Sequence, residues 1–204
     1  MFEVATIAAV HFFAACRYND LTYLRWQHIR FDSPGTLTVF FPKRKNDQFR
    51  AGSSVFLPDD PIIVPNVPSL LRHWRAISRP ASDSVVVFPN FSLAAAKAGS
   101  APLKWDSAMS YPTYRGALAA WFGEALGLDV EEFLATYGTK SGRAGGATTA
   151  SNAGVQLEDI RRQGNWKSDE VLVYLEPGAK KRTNFVSCIA KHPSNLVPPT
   201  HKSS

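Results

Sequence analysis

The amino-acid sequence predicts a mostly α-helical domain carrying one small antiparallel β-sheet. Several segments place apolar residues at helical spacing between cap-forming residues. Two runs rich in β-branched and aromatic residues, Thr36 to Phe41 and Ser54 to Leu57, flank a polar stretch in the manner of a hairpin. A third segment, Ser141 to Asn152, is built almost wholly from small residues, the composition of a helix that approaches a neighbour closely.

In chain order, Val4 to Ala15 is apolar with good helix formers and reads as a buried helix. Asp20, Leu21, Leu24 and Trp26 predict a second short helix, capped by Asn19 or Asp20. Asp32 to Gly35 is a turn. The hairpin follows, its long loop from Lys43 to Gly52 bearing Lys43, Arg44, Lys45 and Arg50 at the tip. Pro58 to Pro68 holds four prolines and is a loop. Val67 to Ile77 has Leu70, Leu71, Trp74 and Ile77 at helical spacing, and residues 94–102 form a small-residue loop. Tyr114 to Leu126 is an amphipathic helix ended by Gly127. The helix from Ser141 to Asn152 is stopped by Gly154. Leu157 to Gln163 and Asp169 to Leu175 are two further short helices, before Pro177 and Gly178 break the pattern.

The chain of 204 residues suits one domain with a tail and is long enough to bury a substantial core. Its net charge of +6 favours an anionic partner. Cys16 and Cys188 are too few and too far apart for a disulfide framework, so the expected setting is intracellular and reducing. The apolar stretch from Val4 to Cys16 is too short to span a bilayer, and it has neither the basic leader nor the cleavage site of a signal peptide. The chain begins almost directly on a helix, from which a preceding portion is expected. Five scattered histidines (His11, His28, His73, His192, His201) form no zinc pattern, and Asp59–Asp60 and Glu131–Glu132 sit in unrelated contexts, so no metal or other cofactor is expected.

The most informative stretch holds Gly138, Lys140, Arg143 and a small-residue run to Thr148. Ala153, Gly154 and Val155 come next, then Gly164 to Ser168 around Trp166, with Tyr174 eight residues after that tryptophan. Upstream stand Arg17, with Asp20 three places later, and the run Lys43, Arg44, Lys45, Asn46, Asp47, Gln48. Their order and spacing, across residues 12–176, resemble the catalytic boxes of the tyrosine recombinase (phage integrase) family. Each box alone is weak; the ordered set is specific.

The resemblance implies the family's catalytic-domain fold over residues 1–178, with residues 179–204 as a tail. On a helix over 179–192, Phe185, Val186 and Ile189 would dock on a neighbouring protomer. It also implies double-stranded DNA as partner and a homo-tetramer on DNA, although the chain alone would be monomeric. A core-binding domain would precede it. The location would be the nucleus in a eukaryotic host, which suits the basic tail with Lys180, Lys181 and Arg182, and the cytoplasm otherwise.

The implied roles fit the chemistry of phosphoryl transfer. Arg17 and Arg143 would clamp the charge that builds on the phosphate oxygens. Tyr174 would attack phosphorus and leave a 3′-phosphotyrosyl link, without metal or ATP. Lys45 would protonate the departing 5′-oxygen, with Lys43 or Arg44 as phosphate contacts and the register of this loop open by a residue or two. Trp166 stands where the family has His or Trp and would donate its indole N–H to phosphate, serve as core, or both. Asp20 would orient Arg17 or a neighbouring cation, or cap a helix. Lys140 departs from the pattern: the family usually has His there, and a lysine is a weak base at neutral pH. Arg115, Arg161, Arg162 and Lys167, with Lys104, would supply the wider basic surface for DNA. Three alternatives stay open: a non-catalytic DNA-binding derivative of the same fold, a topoisomerase IB-like enzyme, and a basic helical protein–protein module.

Overall fold

A computed structural model describes residues 2–32, 35–45, 51–92 and 102–175. The expectations for Arg50, for most of the loop over 94–102, for Pro177 and Gly178, and for the tail with its docking helix and Cys188 all fall outside these residues.

Helix α1 (Phe2–Phe13) runs through the centre, burying Val4, Ile7 and Val10. Two residues beyond its end, Ala15 has a φ of 44° and turns the chain sharply. Helix α2 is only Tyr18–Leu21, shorter than the sequence pattern implied, and Asp20 lies inside it. The chain beyond is drawn away from helical bonding: the Trp26 and Gln27 amides donate to the carbonyls of Val85 and Asp83, leaving a 3-10 turn over Trp26–His28.

The hairpin is present as β2 (Thr36–Phe41) and β3 (Ser53–Pro58), with Val39 opposite Val55. Its period-2 pattern decides its orientation, because Leu37, Val39, Phe41, Val55 and Leu57 all face the core. A strand that the sequence pattern did not disclose, β1 (Ile29–Asp32), pairs antiparallel with β2 and makes the sheet three-stranded. A second small sheet joins β4 (Pro89–Asn90) to β5 (Lys104–Ala108). Strands of four and two residues carry too few alternations to declare themselves.

Helix α3 (Val67–Ser78) starts where Asn66 accepts the Ser69 amide at 2.8 Å and buries Leu71 and Trp74, whose indole donates to the Val87 carbonyl at 2.7 Å. Helix α4 (Tyr111–Leu126) ends at Gly127 with φ 69°. Helix α5 (Val130–Thr136) was not anticipated: Asp129 and Glu132 form its capping box, so the acidic pair Glu131–Glu132 is its first turn. Helix α6 (Thr139–Asn152) is stopped by Gly154 at φ 92°, as expected. After α7 (Leu157–Gly164), the segment Asp169–Tyr174 is a 3-10 helix rather than an α-helix.

Two apolar clusters result. The large one unites α1, α2, the three-stranded sheet, α3 and α4. The small one consists of Ala15, Ala147, Ile160, Trp166 and Val171, with Tyr174 packed against it. The glycines of α6 face α1: a Cβ at Gly142 would come within 2.8 Å of His11 Nδ1, and one at Gly146 would overlap the Phe12 carbonyl. They therefore serve a helix–helix approach.

Candidate active site

Between α2, the end of β2, α6 and the last 3-10 helix lies a cleft of about 840 Å³. Arg17, Asp20, Lys43, Arg44, Lys45, Lys140, Arg143 and Tyr174 all line it, although up to 157 positions separate them in sequence (174 minus 17).

Arg143 is the most deeply fixed. It is 3% exposed, and its Nη1 donates to the Ala15 carbonyl at 2.6 Å and the Gly164 carbonyl at 2.9 Å. The guanidinium lies 3.6 Å over the centre of the Trp166 ring. Its Nη2 is buried with no hydrogen-bond partner among the described residues, and so is Nη1 of Arg17. Burial, and then the Arg17 charge beside it, lower the Arg143 pKa to about 10, so it remains a cation at neutral pH.

Asp20 combines the two roles open to it. Its carboxylate accepts the Arg17 amide at 2.9 Å, closing the turn of α2, and stands 3.8 Å from Arg44 Nε. Burial raises its pKa, while the Arg17 amide and the charges of Arg44, Arg17 and Arg143 pull it back. Cys16, wholly buried behind it, has its thiol pushed up to about 12, first by desolvation and then by the Asp20 charge, which makes it an inert core residue.

Arg44 differs from expectation. It is not a solvated residue of the hairpin tip: its side chain is 1% exposed, and it stacks 4.2 Å over the Phe41 ring because β2 delivers it directly into the cleft floor. Lys45, one residue on, is exposed on the rim, as is Lys140. Lys43 is held by Tyr23, donating to its hydroxyl at 3.1 Å.

Trp166 does not line the cleft. It is 6% exposed and lies beneath Arg143, its ring 6.1 Å from that of Tyr174, so the structure places it as support for both groups. A Cβ at Gly164 would overlap this ring, which is why the residue two places before it is glycine. Tyr174 is partly buried, and its backbone carbonyl accepts from Thr148 Oγ1, tying the end of the 3-10 helix to α6.

The wider basic set does not converge on the cleft. Arg115 donates to the Leu134 carbonyl and lines a separate apolar pocket with His11 and Phe133. Arg161 faces Glu158 and Asp169, and Arg162 faces Asp159, along the exposed side of α7. Lys167 and Lys104 are exposed. Glu170, which no sequence motif marked, lines the cleft four residues before the tyrosine, as does Val173 immediately before it. The only sequence signal for Glu170 is its distance from Tyr174.

Among the described residues, no group of three or more His, Cys, Asp or Glu side chains is arranged to hold a metal ion. None of their helices is long and apolar enough to cross a membrane.

Mostly helical, with small antiparallel sheets and a cleft that gathers arginines and a tyrosine, the chain has the tyrosine recombinase catalytic-domain fold. It is similar to the XerH site-specific recombinase bound to its difH substrate. In the pre-cleavage complex the TM-score is 0.58 at 17% identity, covering 91% of this chain and 46% of that one. In a post-cleavage complex with palindromic difH the values are 0.63, 16%, 93% and 46%. It is also similar to the Tn1549 transposon integrase in complex with circular intermediate DNA, with a TM-score of 0.53 at 12% identity, covering 90% of this chain and 56% of that one. The chain thus spans about half the length of the solved chains it resembles. No family model matches the chain, and no curated protein matches it in sequence.

Proposed function

We propose that this chain is the catalytic domain of a site-specific DNA recombinase that cleaves and rejoins DNA through Tyr174. The observation that carries this reading is the convergence of Tyr174 with Arg17, Arg143, Lys45 and Lys140 around one cleft. The Tyr174 hydroxyl gives its proton to water and attacks the phosphorus of a DNA phosphodiester. The bond to the 5′-oxygen breaks, and Lys45 supplies the proton that this oxygen takes up. Attack by a 5′-hydroxyl on the 3′-phosphotyrosyl link reverses the chemistry and releases the tyrosine, with no external energy source.

Arg17 and Arg143 hold the charge that develops on the non-bridging oxygens; their buried nitrogens without partners among the described residues support this, because such donors are costly unless a ligand satisfies them. Lys140 donates to the same phosphate. Residues 1–178 form this domain, the tail docks on a neighbouring protomer, and a homo-tetramer assembles on duplex DNA. The solved structures it resembles are DNA complexes, which supports the choice of partner.

A second reading, a DNA-binding derivative without chemistry, is favoured by Lys140 alone, which stands where the resembled family usually has a histidine. A nicked duplex drawn from the ends of the chain's own genetic element distinguishes the two. Wild type is expected to give a denaturation-resistant DNA–protein band that Tyr174→Phe abolishes. Binding without any band would favour the derivative.

A further inference from the structure

Resting on the reading of this cleft as a phosphate site, we propose that Arg44 is a positioning residue that acts as the counter-ion of Asp20 and thereby leaves the Arg17 guanidinium available to phosphate. Three guanidiniums, Arg17, Arg44 and Arg143, surround the single buried carboxylate of Asp20 in the cleft floor. One oxygen of Asp20, Oδ2, both accepts the Arg17 backbone amide and faces Arg44 Nε at 3.8 Å; among the described residues, the carboxylate makes no ion pair with the Arg17 side chain within 4.0 Å. None of the three Arg44 nitrogens has a hydrogen-bond partner among the described residues, and each is shielded from solvent. A buried cation without donors satisfied is costly, so its place beside Asp20 needs a compensating role. Charge counting supplies one. With Arg44 present, the floor carries two uncompensated positive charges beneath the cleft. Without it, the Asp20 carboxylate would neutralise one of the two remaining arginines, and of these the Arg17 charge acts on it more strongly than that of Arg143.

The experiment measures the melting shift produced by sulfate at constant ionic strength, chloride being the reference, with the full chain. Sulfate is the probe because it keeps its charge across the neutral range. Arg44→Met should weaken sulfate binding roughly tenfold, as expected when one charge-assisted hydrogen bond to the anion is removed. Adding Asp20→Asn to that variant should restore the response, since no carboxylate is left to capture Arg17, and Arg44→Lys should retain most of it. A purely structural arginine would lower the melting temperature in chloride and leave the sulfate shift unchanged, which overturns the proposal. So does a double variant no better than Arg44→Met, or a wild type indifferent to sulfate. Should Arg44→Met fail to fold, Asp20→Asn alone decides: sulfate binding at or above wild type supports the proposal, and a loss overturns it. A covalent Tyr174 band together with an unchanged Arg44→Met response removes only this inference. The expected sulfate pattern with no covalent band removes the catalytic reading and leaves an anion cleft.

Discussion

The two halves of the cleft are built very differently. Arg17, Asp20 and Arg44 rise from the large cluster, where α1, three strands, α3 and α4 bury a continuous apolar mass. Tyr174 rests on the small cluster of five buried side chains, with Trp166 as its only large member. Arg143 belongs with Tyr174: it donates to Ala15, a member of the small cluster just beyond α1, and to Gly164 at the end of α7, and lies over Trp166. The contrast teaches that Arg17, Asp20 and Arg44 sit on a deep base, while Arg143 and the nucleophile ride on a thin one. Stability is graded across a fold in this way, and moving parts are drawn from its weaker end.

The harshest test removes the support of the thin half. Trp166→Ala takes away the largest side chain of the small cluster and the ring under Arg143, and should cost roughly 3–5 kcal/mol in urea unfolding. Amide exchange should rise first over Asp169–Tyr174, with α1 and the three-stranded sheet still protected. Uniform acceleration across the chain would show that the two clusters unfold as one.

A smaller effect is expected at the junction of the halves. His11 is buried between Tyr114 and Gly142, and desolvation, followed by the Arg143 charge, lowers its pKa to about 4. The folded state therefore binds this proton less readily than the unfolded chain. The stability this contributes is intact above the unfolded pKa of about 6.5 and is lost as pH falls toward 4, by roughly 3 kcal/mol in all. Denaturation at stepped pH values should show this acid limb, and His11→Leu should flatten it.

The smallest effect lies on the outer face. Arg162→Ala breaks only an exposed pair with Asp159 at 3.6 Å, and should change stability by less than about 0.5 kcal/mol. If α7 meets DNA, the same change should weaken binding to all sequences alike and reduce the salt slope by about one.

What the sequence disclosed divides along physical lines. Residues whose role depends on spacing along one element were readable, as with Gly127, Gly154 and the alternation of Leu37, Val39 and Phe41. Arg17, Lys45, Lys140, Arg143 and Tyr174 were singled out by ordered motifs, and the fold brings all five to one cleft. Arg44 was misplaced because depth is a tertiary property: a basic residue in a polar run reads as solvated until Phe41 and Asp20 are seen around it. Arg115 lies away from the cleft for the same reason, one nitrogen of its guanidinium donating to a carbonyl of α5. Helix α5 went unseen because its seven residues show too short a period.

The flush seating of α6 on α1 has one more outcome. With His11 against Gly142 and the Phe12 backbone against Gly146, α6 has a single register in which it can lie. Inserting one residue between Gly138 and Gly142 would rotate everything beyond by about 100°. Arg143 would then swing off the Ala15 carbonyl, and a side chain would meet α1 where a glycine stood. Spacing within this helix is therefore held as tightly as the identity of its residues, and descendants of this sequence should vary in loop length far more readily than in the distance from Lys140 to Gly146.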